Sequence, residues 1–199
     1  MSNRTLLRSR AQCALGLVLL LVTVACAYSP QQLTLRPTIN SSLERYGNSR
    51  SLTIEVVDQR SDKTLGTRGG VYEQTSIITL ANSLEQTIAQ AATAQFASQG
   101  FVLNSLDGQP ITVKIIIDKL SYDVPADSLV KKVLLAASLR VEASTAAATY
   151  QGQYQSESEH PTVVTPTMKK NEKIVNQLLS ATLLRLFEDP KLKAFLSNS

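Results

Sequence analysis

Asp58, Arg60 and Asp62 stand two residues apart in the run Asp58-Gln59-Arg60-Ser61-Asp62, directly after an alternating apolar segment. Charged groups at a strand end can grip a polar ligand or the backbone of a partner. The same spacing also suits a turn in which Asp58 caps backbone amides and Arg60 pairs with a neighbouring carboxylate. Paired acids perform acid–base chemistry only beside a pocket and a substrate, and the spacing marks neither. Tyr150 and Tyr154, on one face of a polar strand, give a second candidate contact surface, with cross-strand packing as the alternative.

Other chemistry is thinly represented. His160 is the only histidine and precedes Pro161 beside Glu157 and Glu159, in what reads as a polar loop. A metal centre needs several converging ligands, so no metal site is assigned. Nucleophilic triads need a histidine near a serine or cysteine, and no catalytic residue or cofactor is assigned. Gly66, Gly69 and Gly70 sit in Gly-Thr-Arg-Gly-Gly, which lacks the lysine and serine of a phosphate loop and reads as a flexible turn. Lys131-Lys132 and Lys169-Lys170 read as solvated faces rather than a nucleic-acid footprint.

The amino terminus carries chemistry of another kind. Arg4, Arg8 and Arg10 precede an apolar run from Ala11 to Val24, and Cys26 follows Ala25. This is the order of a secretory signal: basic, apolar, then small residues at a cleavage site. As a helix the run would span only about 21 Å, short of the roughly 30 Å of a bilayer core. Thr23-Val24-Ala25-Cys26 resembles the bacterial lipobox, although Thr23 replaces its usual Leu or Val. The resemblance implies a diacylglycerol on the Cys26 thiol and cleavage on its amino side. Ala27 rather than Asp after it implies an outer-membrane destination.

Loss of the leader changes the balance of charge. The whole chain is formally +4, but without the leader's three arginines it has 17 bases against 16 acids. That removes the compositional argument for binding nucleic acid. Cys13 departs with the leader and Cys26 is acylated in this reading, so no disulfide remains. The expected organisation is a signal peptide over 1–25, a lipidated amino terminus and flexible tether over 26–50, with room for a spot of order around Leu33-Leu35 or Leu43, and one periplasmic domain over 51–199. A coil of that length reaches roughly 27 Å root-mean-square, and about 80 Å at full extension.

Within the domain, Leu52, Ile54 and Val56 alternate as a strand, and a shorter strand fits Val71 to Ile78. Leu80, Leu84, Ile88, Ala92 and Phe96 form a helical stripe ending at Gly100, with Asn82 and Glu85 at capping-box spacing. Ile111, Val113, Ile115 and Ile117 alternate, and the parity then switches to Leu120 and Tyr122, which suggests a bulge. Val133 to Ala143 and Thr149 to Glu157 complete an antiparallel meander around a turn near Ala146. A helix begins near Met168, with Ile174, Val175, Leu178, Leu179, Thr182 and Leu186 on one wide apolar face, and Asp189-Pro190 opens a last short one. The expected class is α+β: a small, mostly antiparallel sheet with two main helices packed on it, in the order β-(β)-α-β-β-β-α.

The element order, the lipobox and Asp58-Gln59-Arg60-Ser61-Asp62 together resemble the YajG family of bacterial lipoproteins, from the leader through Ser199. The resemblance implies localisation and fold and brings no catalytic residues. The expected function is a non-enzymatic lipoprotein, held at the periplasmic face of the outer membrane through lipid on Cys26, that binds another envelope protein. The alternative is a module binding lipid, glycan or peptidoglycan fragments between sheet and helices. No nucleic-acid partner is expected.

Overall fold

The computed structural model describes residues 29–41, 44–69, 75–103, 110–126 and 131–198. The leader, Cys26, Ala27, Leu43, Gly70 and the start of the expected Val71 strand lie outside them. The strands are β1 (Gln31–Leu33), β2 (Ser51–Asp58), β3 (Gly66–Thr67), β4 (Ile77–Leu80), β5 (Val102–Leu103), β6 (Ile111–Asp123), β7 (Lys132–Ser144) and β8 (Thr149–Pro161). The helices are α1 (Leu84–Ser98), α2 (Met168–Phe187) and α3 (Pro190–Asn198).

All eight strands belong to one mixed sheet, in the order β1-β4-β3-β6-β2-β5, with β7 and β8 added beyond the other edge of β6. The class is α+β, but the expectation of a mostly antiparallel sheet in that element order is corrected. β2 lies parallel to β6, from Leu52 opposite Ile111 to Asp58 opposite Ile117, and β1 and β5 also pair in parallel. For β2 with β5 and β6 the reason is the crossover through α1, which brings the chain back to the starting end of β2. β1, β3 and β5 are too short to leave an alternating pattern.

The antiparallel meander β6-β7-β8 forms as the alternation requires. Val133, Leu135, Leu139 and Val141 turn inward and Lys132, Arg140 and Glu142 outward. β6 carries the expected bulge: Ile117 faces Leu139 but Lys119 faces Ser138, leaving Asp118 as the extra residue. That one residue moves the buried set from Ile117 to Leu120 and Tyr122. β8 runs on to Pro161, so His160 is a strand residue rather than a loop one, its Nε2 3.2 Å from Ser158 Oγ.

The helices cover the inner face of the sheet. α1 begins at Leu84, later than the Leu80 expected, because Leu80 is still in β4 beside Leu33. Its cap is Ser83, whose hydroxyl accepts from Gln86 N, rather than Asn82. Its end is as read: Gly100 takes φ +90°, its N–H donates to Ala97 O, and Phe101 N–H donates to Phe96 O. The Phe96 and Phe101 rings meet edge-on at 5.8 Å, closing a Schellman stop with its apolar contact. Phe96 also meets Phe187 at 5.2 Å, which joins α1 to α2. Asp189 caps α3 through a 2.9 Å bond from Lys191 N.

The expected tether is part of this body wherever it is described. Leu33 and Leu35 are buried in the core. Residues 31–38 run alongside α2, with Thr34 N bonded to Glu172 Oε1, Arg36 N to Asn176 Oδ1 and Thr38 N to Ser180 Oγ. Asn82 binds both N–H and C=O of Leu35, which is why it does not cap α1. Further on, Tyr46 packs on Phe101 and its hydroxyl donates to Gln99 Oε1. A polar stretch reads as a tether because its partners are helix side chains far along the chain.

Candidate functional site

The Asp58–Asp62 segment fills an interruption in the sheet. β2 leaves β6 opposite Ile117, and β3 rejoins it opposite Tyr122. Between them Gln59 N–H donates to Ile117 O at 3.0 Å, and the Arg60 guanidinium reaches Leu120 O at 3.4 Å. Arg60 is 7 % exposed and grips Asp58 with two bonds of 2.9 Å, while Asp58 also accepts from Arg60 N. Lys63 adds a 3.2 Å ion pair from solvent. Burial works to raise the Asp58 carboxyl, but the bonds from Arg60 and Lys63 outweigh it and hold it below the usual range. Asp62 turns away and binds the Thr64 amide and hydroxyl. The three residues therefore do not converge on one point.

The bulge supplies a second ion pair that sequence reasoning missed. Asp118 receives Arg140 at 2.8 and 2.9 Å, and Arg140 also donates to Gln59 Oε1. The two charged sets thus flank the bulge on either side of Gln59. The parity switch at Asp118 was the available signal, but it named no partner. Asp58, Arg60 and Lys63 also border a shallow open groove of about 290 Å³ at the start of α1, where Glu85 accepts from Asp58 N.

Tyr150 and Tyr154 are brought together, and both point inward. Their hydroxyls lie 3.0 Å apart and both donate to Asp189 Oδ2, at 2.5 and 2.7 Å. Gly152 lies between them, where a Cβ would come within 2.6 Å of either hydroxyl. Phe195 of α3 closes over Tyr150 at 5.9 Å. The set holds α3 against β8 at the carboxyl end of the chain.

This arrangement has a pH signature. Burial works to raise Asp189, but hydrogen bonds from both tyrosines and from the Lys191 and Leu192 amides hold it below its ordinary value. Burial and Asp189 push both tyrosines up. A depressed carboxyl adds stability above its unfolded value of about 4, lost as pH falls through the folded value. A raised tyrosine adds stability below about 10, lost as pH rises further. The expected thermal midpoint therefore declines at both ends, and Asp189→Asn flattens the acid limb except for the parts due to Asp58, Asp62 and His160, which are also held below their ordinary values. Melting curves from pH 2 to 11 check this; an unchanged acid limb in the variant would remove Asp189 from the account.

Among the described residues no helix covers the outer face of the meander. It forms an open groove of about 460 Å³ lined by Lys119, Ser121, Asp123, Leu134, Ala136 and Glu157 among others. At its margin β8 pairs only with β7 among the described residues, over thirteen residues. Gln151, Gln153, Gln155, Glu157 and Glu159 are exposed along it. No group of His, Cys, Asp and Glu suited to a metal ion is found among the described residues, and none of their helices is long and apolar enough to cross a membrane.

One solved structure shares this architecture. A crystal structure of a Xanthomonas campestris protein is 10 % identical and superposes with a TM-score of 0.57, covering 85 % of this chain and 98 % of that one. A minor lipoprotein of Acinetobacter baumannii is 8 % identical with a TM-score of 0.41, covering 75 % of this chain and 92 % of its own. No curated protein gives a match. Residues 37–197 match the model of the Lipoprotein_16 family, described as uncharacterized lipoprotein, and the chain belongs to that family.

Proposed function

We propose that this lipoprotein is held at the periplasmic face of the outer membrane by lipid on Cys26. In this reading it acts without catalysis, as a binding module for another envelope protein. The finer resemblance to the YajG family rests on the lipobox and the Asp58–Asp62 run. The observation that carries the binding reading is β8, a long strand with one edge unpaired among the described residues. Its exposed glutamines and glutamates discourage stacking with copies of itself, yet its backbone can accept a strand from a partner. The groove beside it is open, which favours surface contact over enclosure of a small molecule.

A photoreactive residue at Gln153 should give a discrete cross-linked adduct in intact cells, and one at exposed Gln177 on α2 should not. Adducts from Gln177 alone would refute the use of β8. For the anchor, Cys26→Ala should move the protein from the membrane to the soluble fraction with its circular dichroism unchanged. Each buried methylene of the acyl chains contributes about 0.8 kcal/mol. Firm retention of the variant would refute this role of Cys26.

A further inference from the structure

Cys26 lies only five residues before Gln31, so an extended chain places it within about 18 Å of β1. The sheet fixes which end of the body that is. Gln31 stands level with Ile78, Gly66, Tyr122, Leu135 and Ser158 in one row across it. β1 runs away from that end, so the residues before it emerge there, beside the end of β8 and the start of α2. Gln31 Oε1 accepts from Asn171 Nδ2 in the first turn of α2, and Ser29 O accepts from Arg68.

The same end carries three of the four large apolar side chains exposed among the described residues. Val163 is 97 % exposed, Val164 74 % and Met168 48 %, all between β8 and the first turn of α2. Neighbouring apolar groups standing in water mark a contact surface more often than scattered ones do. Three exposed lysines surround them: Lys169 and Lys170 follow in α2, and Thr162 N–H donates to Lys131 O at 2.8 Å. Among the described residues none of the three is paired with a carboxylate, whereas Lys132 is held by Glu159 at 3.0 Å. Asp123 is an exposed acid at this end, on the outer face.

We propose that this end of the domain docks directly on the bilayer that holds the Cys26 lipid. Val163 and Val164 enter the boundary between headgroups and acyl chains, and Lys131, Lys169 and Lys170 meet anionic headgroups. The proposal rests on the reading of Cys26 as lipid-bearing. Each lysine near an anionic surface favours contact about five-fold. The β7–β8 hairpin then stands about 40 Å from the membrane, the length of thirteen extended residues. The unpaired edge of β8 points along that height, within reach of a partner.

The test uses the processed, full-length lipoprotein in phosphatidylethanolamine–phosphatidylglycerol vesicles. An environment-sensitive fluorophore is attached at Val164→Cys or, in the hairpin, at Ala147→Cys. Mass spectrometry of the amino-terminal peptide first establishes acylation of Cys26; its absence overturns the anchor reading separately from the docking one. With acylated protein, the label at 164 should shift to the blue and be quenched by nitroxide-bearing lipid, and the label at 147 by a water-soluble quencher. Lys131→Glu, Lys169→Glu and Lys170→Glu combined should abolish most of the lipid quenching at 164 while the acyl anchor keeps the protein on the vesicles. Bound protein whose two labels are equally open to the aqueous quencher would overturn the proposal.

Discussion

Leu33→Ala is expected to lower the stability of the protein by about 2–5 kcal/mol. Leu33 lies only seven residues after Cys26, in a stretch whose Ser, Gln and Asn content suggests a spacer. In the structure it is fully buried, paired with Leu80 through β1 and β4, and part of the single core. Truncation removes its apolar area and leaves a cavity that strand β4 and helix α2 cannot close without losing the bonds of residues 34–38. A spacer residue would cost less than about 0.5 kcal/mol. Urea unfolding followed by circular dichroism decides between them: a shifted midpoint with an unchanged slope places Leu33 in the cooperative unit. A midpoint equal to that of the parent would put β1 outside it.

Arg60→Ala should be of similar size, about 3–5 kcal/mol, because it strips a buried carboxylate of its main partner. Asp58 keeps Lys63 and one backbone donor, Arg60 N, but loses both guanidinium bonds. Leu120 O loses its side-chain donor at the point where the sheet edge is interrupted. Arg60→Lys should recover only part of the loss, since one ammonium cannot span Asp58 and Leu120 as a planar fork does. Asp58→Leu with Arg60→Met should be milder than Arg60→Ala, as replacing both members of a buried pair often is. Urea midpoints for the three variants give the comparison. If Arg60→Ala unfolds like the parent but loses cross-linking at Gln153, the segment serves recognition instead of stability.

Much of the secondary structure was legible because it depends on near neighbours. The α2 stripe of Ile174, Val175, Leu178, Leu179, Thr182 and Leu186 is buried as its spacing requires. Gly100 ends α1, and Asp189-Pro190 opens α3. The site was less legible. Tyr150 and Tyr154 were visible on one face, but their common acceptor, Asp189, lies thirty-five residues beyond Tyr154. Asp58 and Arg60 were visible as a pair, whereas the gap they bridge exists only once β2 and β3 share one edge of β6.

By itself the sequence determined the leader's pattern, the nearly neutral charge without it, the meander with its bulge, and the main helices. Each follows from residue type and a period of two or about four along a few turns of chain. Tertiary structure alone decided that β2 and β6 run parallel, that residues 31–38 join the core, and that β1 starts at the end of the sheet bearing Val163 and Val164. Periodicity reports that a face is buried, but not which element buries it. A two- or three-residue strand has no period to report. The direction and neighbours of each strand depend on how the crossover through α1 packs, and that is settled only when the whole core closes.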